Sequence, residues 1–365
     1  MLTFLSRLII SLGLVLFAAA AAFCDVVQKP LKVGFIMVES VHDWGWNWAH
    51  DQGRQYMEKE LHEQVQTTFA ENIPETAEVE RVMEKMIAQG TKLIYATSYG
   101  YLESALRVAA RHPNVIIMHC GRLNPHPMPN VGTYVDSYHD PVYAAGIVAG
   151  RMTKKNEIGY VTSHPVPVVI RILNAFTLGA RSVNPKVKVH VVWTNSWSDP
   201  PLEAEAAKGL IDNGVDVLVD HSDSCITGVK AAEKNHIYSV AYHADVHHLA
   251  PTGWLTGARW DWGPFYVKTT KSVIDHTWKP GDRILRVKDG VDKLSSFGPV
   301  VPPAVRGEAT KCLQNIADGN FVIFKGPLKD RDGNLQLPAG QVADDSYLEK
   351  IDWVVPGVVG SIPKK

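Results

Sequence analysis

An excess of one charge is missing from this sequence. Its 37 Lys and Arg balance 38 Asp and Glu in 365 residues. Nucleic acid and anionic membranes attract proteins through a one-signed field, so the balance argues against both as partners. Cysteine is scarce too: Cys24, Cys120, Cys225 and Cys312. The last three lie far apart, match no metal-ligand spacing and allow one disulfide at most. Familiar catalytic signatures are absent. There is no Gly-x-Ser-x-Gly elbow, no His-Glu-x-x-His, no Gly-x-x-x-x-Gly-Lys-Ser/Thr loop, and no Gly-x-Gly-x-x-Gly after the first strand. The expectation is a protein that is not an enzyme and takes no cofactor. Nucleoside hydrolysis by scattered acids and histidines stays open as the enzyme alternative. Past the first residues, no apolar run is long enough to cross a bilayer.

The first residues read as a leader. Arg7 is basic, Leu8 to Phe17 is a short apolar run, and Ala18 to Ala22 are small. That pattern marks residues 1–24 as a secretory signal peptide, so the chain is expected in the periplasm. Cys24 stands where a lipoprotein cysteine would stand, but Phe23 before it is a poor lipobox residue. Simple cleavage is therefore expected over lipid anchoring. About 340 residues remain, enough for two domains.

Strand-like and helix-like runs alternate along that remainder. Strands are expected at Lys32–Val38, Val65–Ala70, Lys92–Thr97, Val115–His119 and Val131–Val135, with helices at Trp46–Leu61, Thr76–Gln89 and Leu102–Arg111. Pro141–Met152 is a further helix rich in small residues: Ala144, Ala145, Gly146, Ala149 and Gly150. The theme then repeats. Strands are expected at Glu157–Thr162, Val187–Thr194, Val215–Asp220, Ile237–Ala241 and Trp254–Ala258, and helices at Val168–Ser182, Pro201–Asn213, Ile226–Lys234 and Pro264–His276. Such alternation points to parallel sheets covered by helices on both faces. Its repetition points to two doubly wound α/β lobes joined by a hinge, on the type I periplasmic-binding-protein plan. The lobes are expected at residues 25–154 plus about 256–290, and 155–255 plus about 291–365. Ligand would sit in the cleft between them.

The loop after the first strand is the most informative stretch: Val41-His-Asp-Trp-Gly-Trp-Asn-Trp-Ala-His-Asp-Gln-Gly53. Loops at that end of an open α/β sheet face the ligand crevice. Three tryptophans in one such loop suit a flat aromatic ligand, though at least one is expected in the core. Asp43 and Asn47 lie four apart at a helix start, where they either face the cleft or cap the first turn. Ser98 and Tyr99 end a strand, a usual place for a ligand contact. Asp223 ends another, with helix capping as its alternative. Trp197 lies in a polar loop, as cleft wall or core anchor. Trp262, beside Asp261, follows a strand and is placed at the cleft, although one of Trp260 and Trp262 is expected inside.

Several segments in order resemble the basic membrane protein family, the purine-nucleoside receptor-like substrate-binding proteins of ABC importers. Asp43-x-Gly45-Trp46-Asn47 stands where the family has Asp-x-Ser-Phe-Asn. Thr97-Ser98-Tyr99-Gly100 follows, then Tyr143-Ala-Ala-Gly146 leading into Ala149-Gly-Arg. Asn195-Ser-Trp197-Ser-Asp199-Pro and Glu205-Ala-Ala-Lys-Gly-Leu-Ile-Asp212-x-Gly214-Val-Asp216 complete the series. The resemblance covers nearly all of the chain beyond the leader. It implies a purine base or nucleoside clamped between Trp46 and Trp197, and an ABC permease as membrane partner. A monomer is expected. A ligand-presenting sensor is the alternative use of the same lobes.

One departure bears on the ligand. Nucleoside-binding members carry an acid just after the strand and another two positions later, suited to ribose hydroxyls. Here His243 takes the first place and Asp245 the second. That shifts the expectation toward a free, adenine-like base. The cluster His243, Asp245, His247 and His248 also invites a metal reading, but four candidate ligands within six residues crowd too closely to surround one ion. No metal is expected.

Overall fold

In a computed structural model of the chain, residues 29–363 are described. The leader reading of residues 1–24, with Cys24, lies outside them. The alternation resolves into two large sheets, with a two-stranded hairpin near the C-terminal end. The first half supplies β1 (Leu31–Ile36), β2 (Val65–Ala70), β3 (Leu93–Ala96), β4 (Ile116–Cys120) and β5 (Val131–Asp136). Between them run α1 (Trp46–Leu61), α2 (Glu78–Ala88) and α3 (Leu102–Arg111). After α4 (His139–Met152) come β6 (Glu157–Thr162), β7 (Lys188–Trp193), β8 (Val217–His221), β9 (Tyr238–Ala241) and β10 (Trp254–Trp260), connected by α5 (Pro167–Val183), α6 (Pro200–Asp212) and α7 (Ile226–Lys234). The last third adds α8 (Gly263–Ile274), β11 (Gly281–Leu285), β12 (Asp292–Leu294), α9 (Pro303–Ala317), β13 (Leu328–Lys329), β14 (Leu335–Leu337), α10 (Asp345–Leu348) and β15 (Val358–Val359).

The first sheet has the order β11-β5-β4-β3-β1-β2, and every pairing in it is parallel. The second has the order β12-β10-β9-β8-β6-β7-β15, parallel except where β12 meets β10. The central strand β3 is buried at every residue, which is why it reads as a continuous apolar run. Edge strand β2 carries exposed Gln66, Phe69 and Thr68.

The chain crosses between sheets three times: from β5 into α4, from β10 into α8, and from β11 into β12. This moves the lobe limits. The expected boundary at 154 puts α4 in the first lobe, but α4 packs on α5, β10 and β12. Its small residues explain the choice. An added Cβ at Gly146 would lie 2.3 Å from the Phe176 carbonyl oxygen, and one at Gly150 would lie 2.4 Å from that of Ala180. Across the contact, a Cβ on Gly179 would lie 2.0 Å from the Tyr143 carbonyl oxygen. Two helices meeting this closely through glycine cannot belong to different moving bodies. Likewise β10 lies wholly in the second sheet through Trp260, beyond the expected limit near 256. In the first lobe, α8 packs on α1.

Candidate ligand cleft

The loops at the carboxyl ends of both sheets enclose a cleft of about 690 Å³, open space at its mouth included. That is the usual position for a ligand in open α/β sheets. Trp46, Ser98 and Tyr99 line it from the first lobe, and Trp197, Asp223 and His243 from the second.

Trp46 is placed by the loop that precedes it. The Asp43 carboxylate accepts hydrogen bonds from the backbone N–H groups of Gly45 (2.8 Å), Asn47 (2.9 Å) and Trp48 (2.9 Å), and from Asn47 Nδ2 (2.8 Å). Asn47 Oδ1 in turn accepts from Val38 N (3.1 Å). Both side chains are thus consumed in starting α1 and tying it to the strand. Neither lines the cleft, which corrects their assignment as ligand contacts. The result is a fixed platform for Trp46, whose Nε1 donates to the Thr97 carbonyl (2.6 Å). Its ring stands edge-on to His50 (4.5 Å) and Trp260 (4.8 Å). Trp44 is exposed and stacks on Trp48 (5.4 Å).

From the other lobe, Trp197 sits between β7 and α6, half-buried. Its carbonyl accepts from Asp223 N (2.8 Å), and Asp199 caps α6 by accepting from Leu202 N (3.0 Å). Its ring lies 6.5 Å from Tyr99 and edge-on to His164 at 4.7 Å. The lobes meet beside it. Trp46 N donates to the Asp223 carbonyl (2.9 Å), and Ser224 Oγ donates to that of Asp43 (2.7 Å). Burial pushes the Asp223 carboxyl well above the usual range, reinforced by the charges of Asp43, Glu39, Glu75 and Glu203. A carboxyl held neutral in this way presents a donor as well as an acceptor.

Two further expectations fail. Asp245 is half-buried outside the cleft lining, where it accepts from Ser296 N (2.7 Å), Ser296 Oγ (3.0 Å) and His247 Nδ1 (2.9 Å). It is a turn-forming residue, not a cleft contact. Trp262 is fully buried, flat on His50 (5.0 Å) and packed against Tyr134 and Tyr266. Between these two tryptophans it is Trp260 that reaches the cleft.

His243 does reach it. Its backbone has φ 73°, its N–H donates to Tyr138 Oη (2.6 Å), and its ring stacks on Trp260 at 4.6 Å. Nδ1 has no protein partner, and burial lowers the pKa to about 3, so the imidazole is neutral. His221 stacks on Tyr242 (4.2 Å), and burial with His243 nearby depresses its pKa well below the ordinary value. Among the described residues no three His, Cys, Asp or Glu side chains form a cluster that could hold a metal ion. Cys120, Cys225 and Cys312 are free thiols.

Sequence reasoning passed over several cleft residues. Arg171, early in α5, donates from Nη1 to Glu349 (3.1 Å) and leaves Nε without a protein partner. Nothing in a helical pattern tells which face of α5 looks into a cleft. Asp136 and His221 end strands, so the rule that selected Ser98 would also have found them. Burial lifts Asp136 to about 6, while Arg171 pulls it down. The folded protein therefore binds this proton more tightly than the unfolded chain. The associated stability is complete below about pH 4 and is lost as pH rises through about 6. Asp136→Asn removes this carboxyl's share of that dependence. Relative to the parent it is expected to gain stability as pH rises from about 4 through about 6 in denaturant unfolding. A constant difference between the two proteins across that range would refute the assignment.

Comparison with known proteins agrees with this geometry. The profile of the family described as ABC transporter substrate-binding protein, PnrA-like, matches residues 31–315. A purine-binding protein of Brucella abortus (strain 2308) is 37% identical over 92% of this chain and 95% of its own. A putative ABC transporter glucose-binding protein of Haloferax volcanii is 30% identical over 92% of this chain and 82% of its own. Among solved structures, a solute-binding protein of an ABC transporter system from Aeropyrum pernix K1 superposes with a TM-score of 0.71, at 16% identity, covering 82% of this chain and 93% of that one. One from Conexibacter woesei reaches 0.65 at 20% identity, covering 80% and 97%. These likenesses establish the type I periplasmic-binding-protein-like fold. No helix among the described residues is long and apolar enough to cross a membrane. With its two parallel-sheet lobes, the cleft between them and the family match over most of its length, the chain belongs to the PnrA-like (basic membrane protein) family of ABC transporter substrate-binding proteins.

Proposed function

We propose that the protein binds a purine base between its lobes, with Trp46 and Trp197 as the aromatic plates, and delivers it from the periplasm to an ABC permease. The observation that carries this is that tryptophans from both lobes, Trp46 from the first and Trp197 with Trp260 from the second, line a single cleft. A purine has two π-faces, and each offset stack adds roughly 0.5–1.5 kcal/mol beyond area burial. Ser98, Tyr99, Asp223 and His243 supply polar atoms for the ring edge. The Brucella relative, named as purine-binding, supports the ligand class.

A free base is favoured over its nucleoside. The two positions where the family resemblance leads one to expect ribose-binding acids hold a buried neutral imidazole at His243 and, at Asp245, a carboxylate already engaged by Ser296 and His247. Neither offers a vicinal diol the charged acceptor that would offset its desolvation, and an unpaired buried polar group costs about 1–3 kcal/mol. Calorimetry of adenine, guanine, hypoxanthine and their nucleosides tests this. Adenine is expected to bind at least about tenfold more tightly than adenosine, a difference of ~1.4 kcal/mol. A tenfold preference for adenosine would overturn the base-first reading.

A further inference from the structure

Glu75 has no place in the ligand reading above, yet it touches both lobes at the mouth of the cleft. It lies in the first lobe, between β2 and α2. Its Oε1 accepts from Ser98 Oγ (2.6 Å) and from Gly100 N (2.6 Å), both at the end of β3. Its Oε2 accepts from Trp197 Nε1 (3.3 Å), which belongs to the second lobe. The carboxylate is therefore aimed by two first-lobe donors and spends its second oxygen on the edge of the opposite indole. Stacking uses the ring faces and leaves the N–H at the rim free. One bond of this kind can fix the plane of Trp197 without occupying a face that a ligand needs. It can form only when the lobes are together.

A state-selective contact shifts an open–closed equilibrium by its difference between the two states. Two other bonds that join the lobes at the cleft, Trp46 N to the Asp223 carbonyl and Ser224 Oγ to the Asp43 carbonyl, each have a backbone acceptor and lie on the α1 side. Glu75 is the side-chain acceptor on the α3 side. We propose that Glu75 is a positioning residue of this cleft: it latches Trp197 to the first lobe, orients the indole as a plate, and slows ligand escape by holding the closed state. This rests on the reading of Trp197 as a ligand plate, but the latch itself is a statement about the lobes.

Four variants of the full chain test it: Glu75→Gln, Glu75→Ala, Trp197→Phe, and Glu75→Ala with Trp197→Phe. Glutamine keeps the shape and the acceptor for Ser98 and Gly100 but turns an amide N–H₂ toward the indole N–H. Phenylalanine keeps a plate and removes the donor. Stopped-flow tryptophan fluorescence with adenine should show dissociation about three- to tenfold faster in each single variant, with association changed less than about twofold. The double variant should dissociate no faster than the faster single one, because both changes break the same bond. Small-angle scattering of the ligand-free proteins should show a larger radius of gyration for Glu75→Ala than for the parent if the latch biases closure. Additive effects in the double variant, or a Glu75→Ala protein matching the parent in dissociation rate, would overturn the latch. If adenine and the other purines fail to bind the parent, the ligand reading falls. Scattering then decides the latch alone, with an unchanged radius of gyration counting against it.

Discussion

Gly45→Ala is expected to weaken purine binding by about a hundredfold or more while both lobes stay folded. A Cβ at position 45 would lie 1.5 Å from the Asp223 carbonyl oxygen and 2.6 Å from its carbonyl carbon. These are backbone atoms, so no side-chain rotation relieves the clash, and the two lobes must separate locally. The same seam holds the Trp46 N to Asp223 bond and the Ser224 Oγ to Asp43 bond. Losing two bonds of ~1–1.5 kcal/mol each accounts for a factor of about a hundred, before any misplacement of Trp46 is counted. The effect on folding should be small, because the offending contact joins the lobes and not the interior of either. Calorimetry with adenine alongside thermal unfolding separates the two. Parental affinity in Gly45→Ala would mean that binding does not require this seam.

Trp46→Ala is expected to cost about 2 kcal/mol or more in purine affinity, the scale of a buried aromatic anchor. Trp197→Ala should cost less, about 1–2 kcal/mol, because Trp197 sits half-exposed at the mouth. Trp46 is the better held of the two: its N–H is fixed on Thr97, and its ring is braced by His50 and Trp260. Trp46→Phe should recover much of the loss. Binding should also quench tryptophan fluorescence in the parent, and less so in either alanine variant. A Trp46→Ala protein that binds purines as the parent does, but melts far lower, would make Trp46 a core residue and end the two-plate reading.

Much of the fold could be read directly. The strands Val65–Ala70 and Glu157–Thr162 and the helices Trp46–Leu61, Leu102–Arg111 and Ile226–Lys234 stand where periodicity placed them. Buried parallel strands and amphipathic helices carry their own period, so local pattern suffices. The misses share a cause. The edge strand β11 reads Gly-Asp-Arg-Ile-Leu, half of it polar, because only one side is paired. Nothing local says that it returns to β5, about 145 residues earlier in the chain. The helix α9 was missed as well; Ala309 is its one buried residue among those described, so its apolar stripe is weak.

For the cleft, the sequence by itself determined which loops would meet: those after β1, β3, β7, β8 and β9 all contribute lining residues. That follows from topology, since every parallel strand delivers its carboxyl end to the same side. It also named Trp46 and Trp197 and the departure at His243. Only the tertiary structure decided which polar side chains remain free for a ligand. Asp43, Asn47 and Asp245 carry the right chemistry, but backbone donors and neighbouring side chains consume them first. Trp262 and Trp260 are two residues apart, yet one is sealed in the core and the other lines the cleft. A side chain's residue type is local, whereas its unspent hydrogen-bonding capacity and its exposure depend on everything packed around it. That is why the chain points to the loops of its candidate site, and the fold decides which side chains reach it.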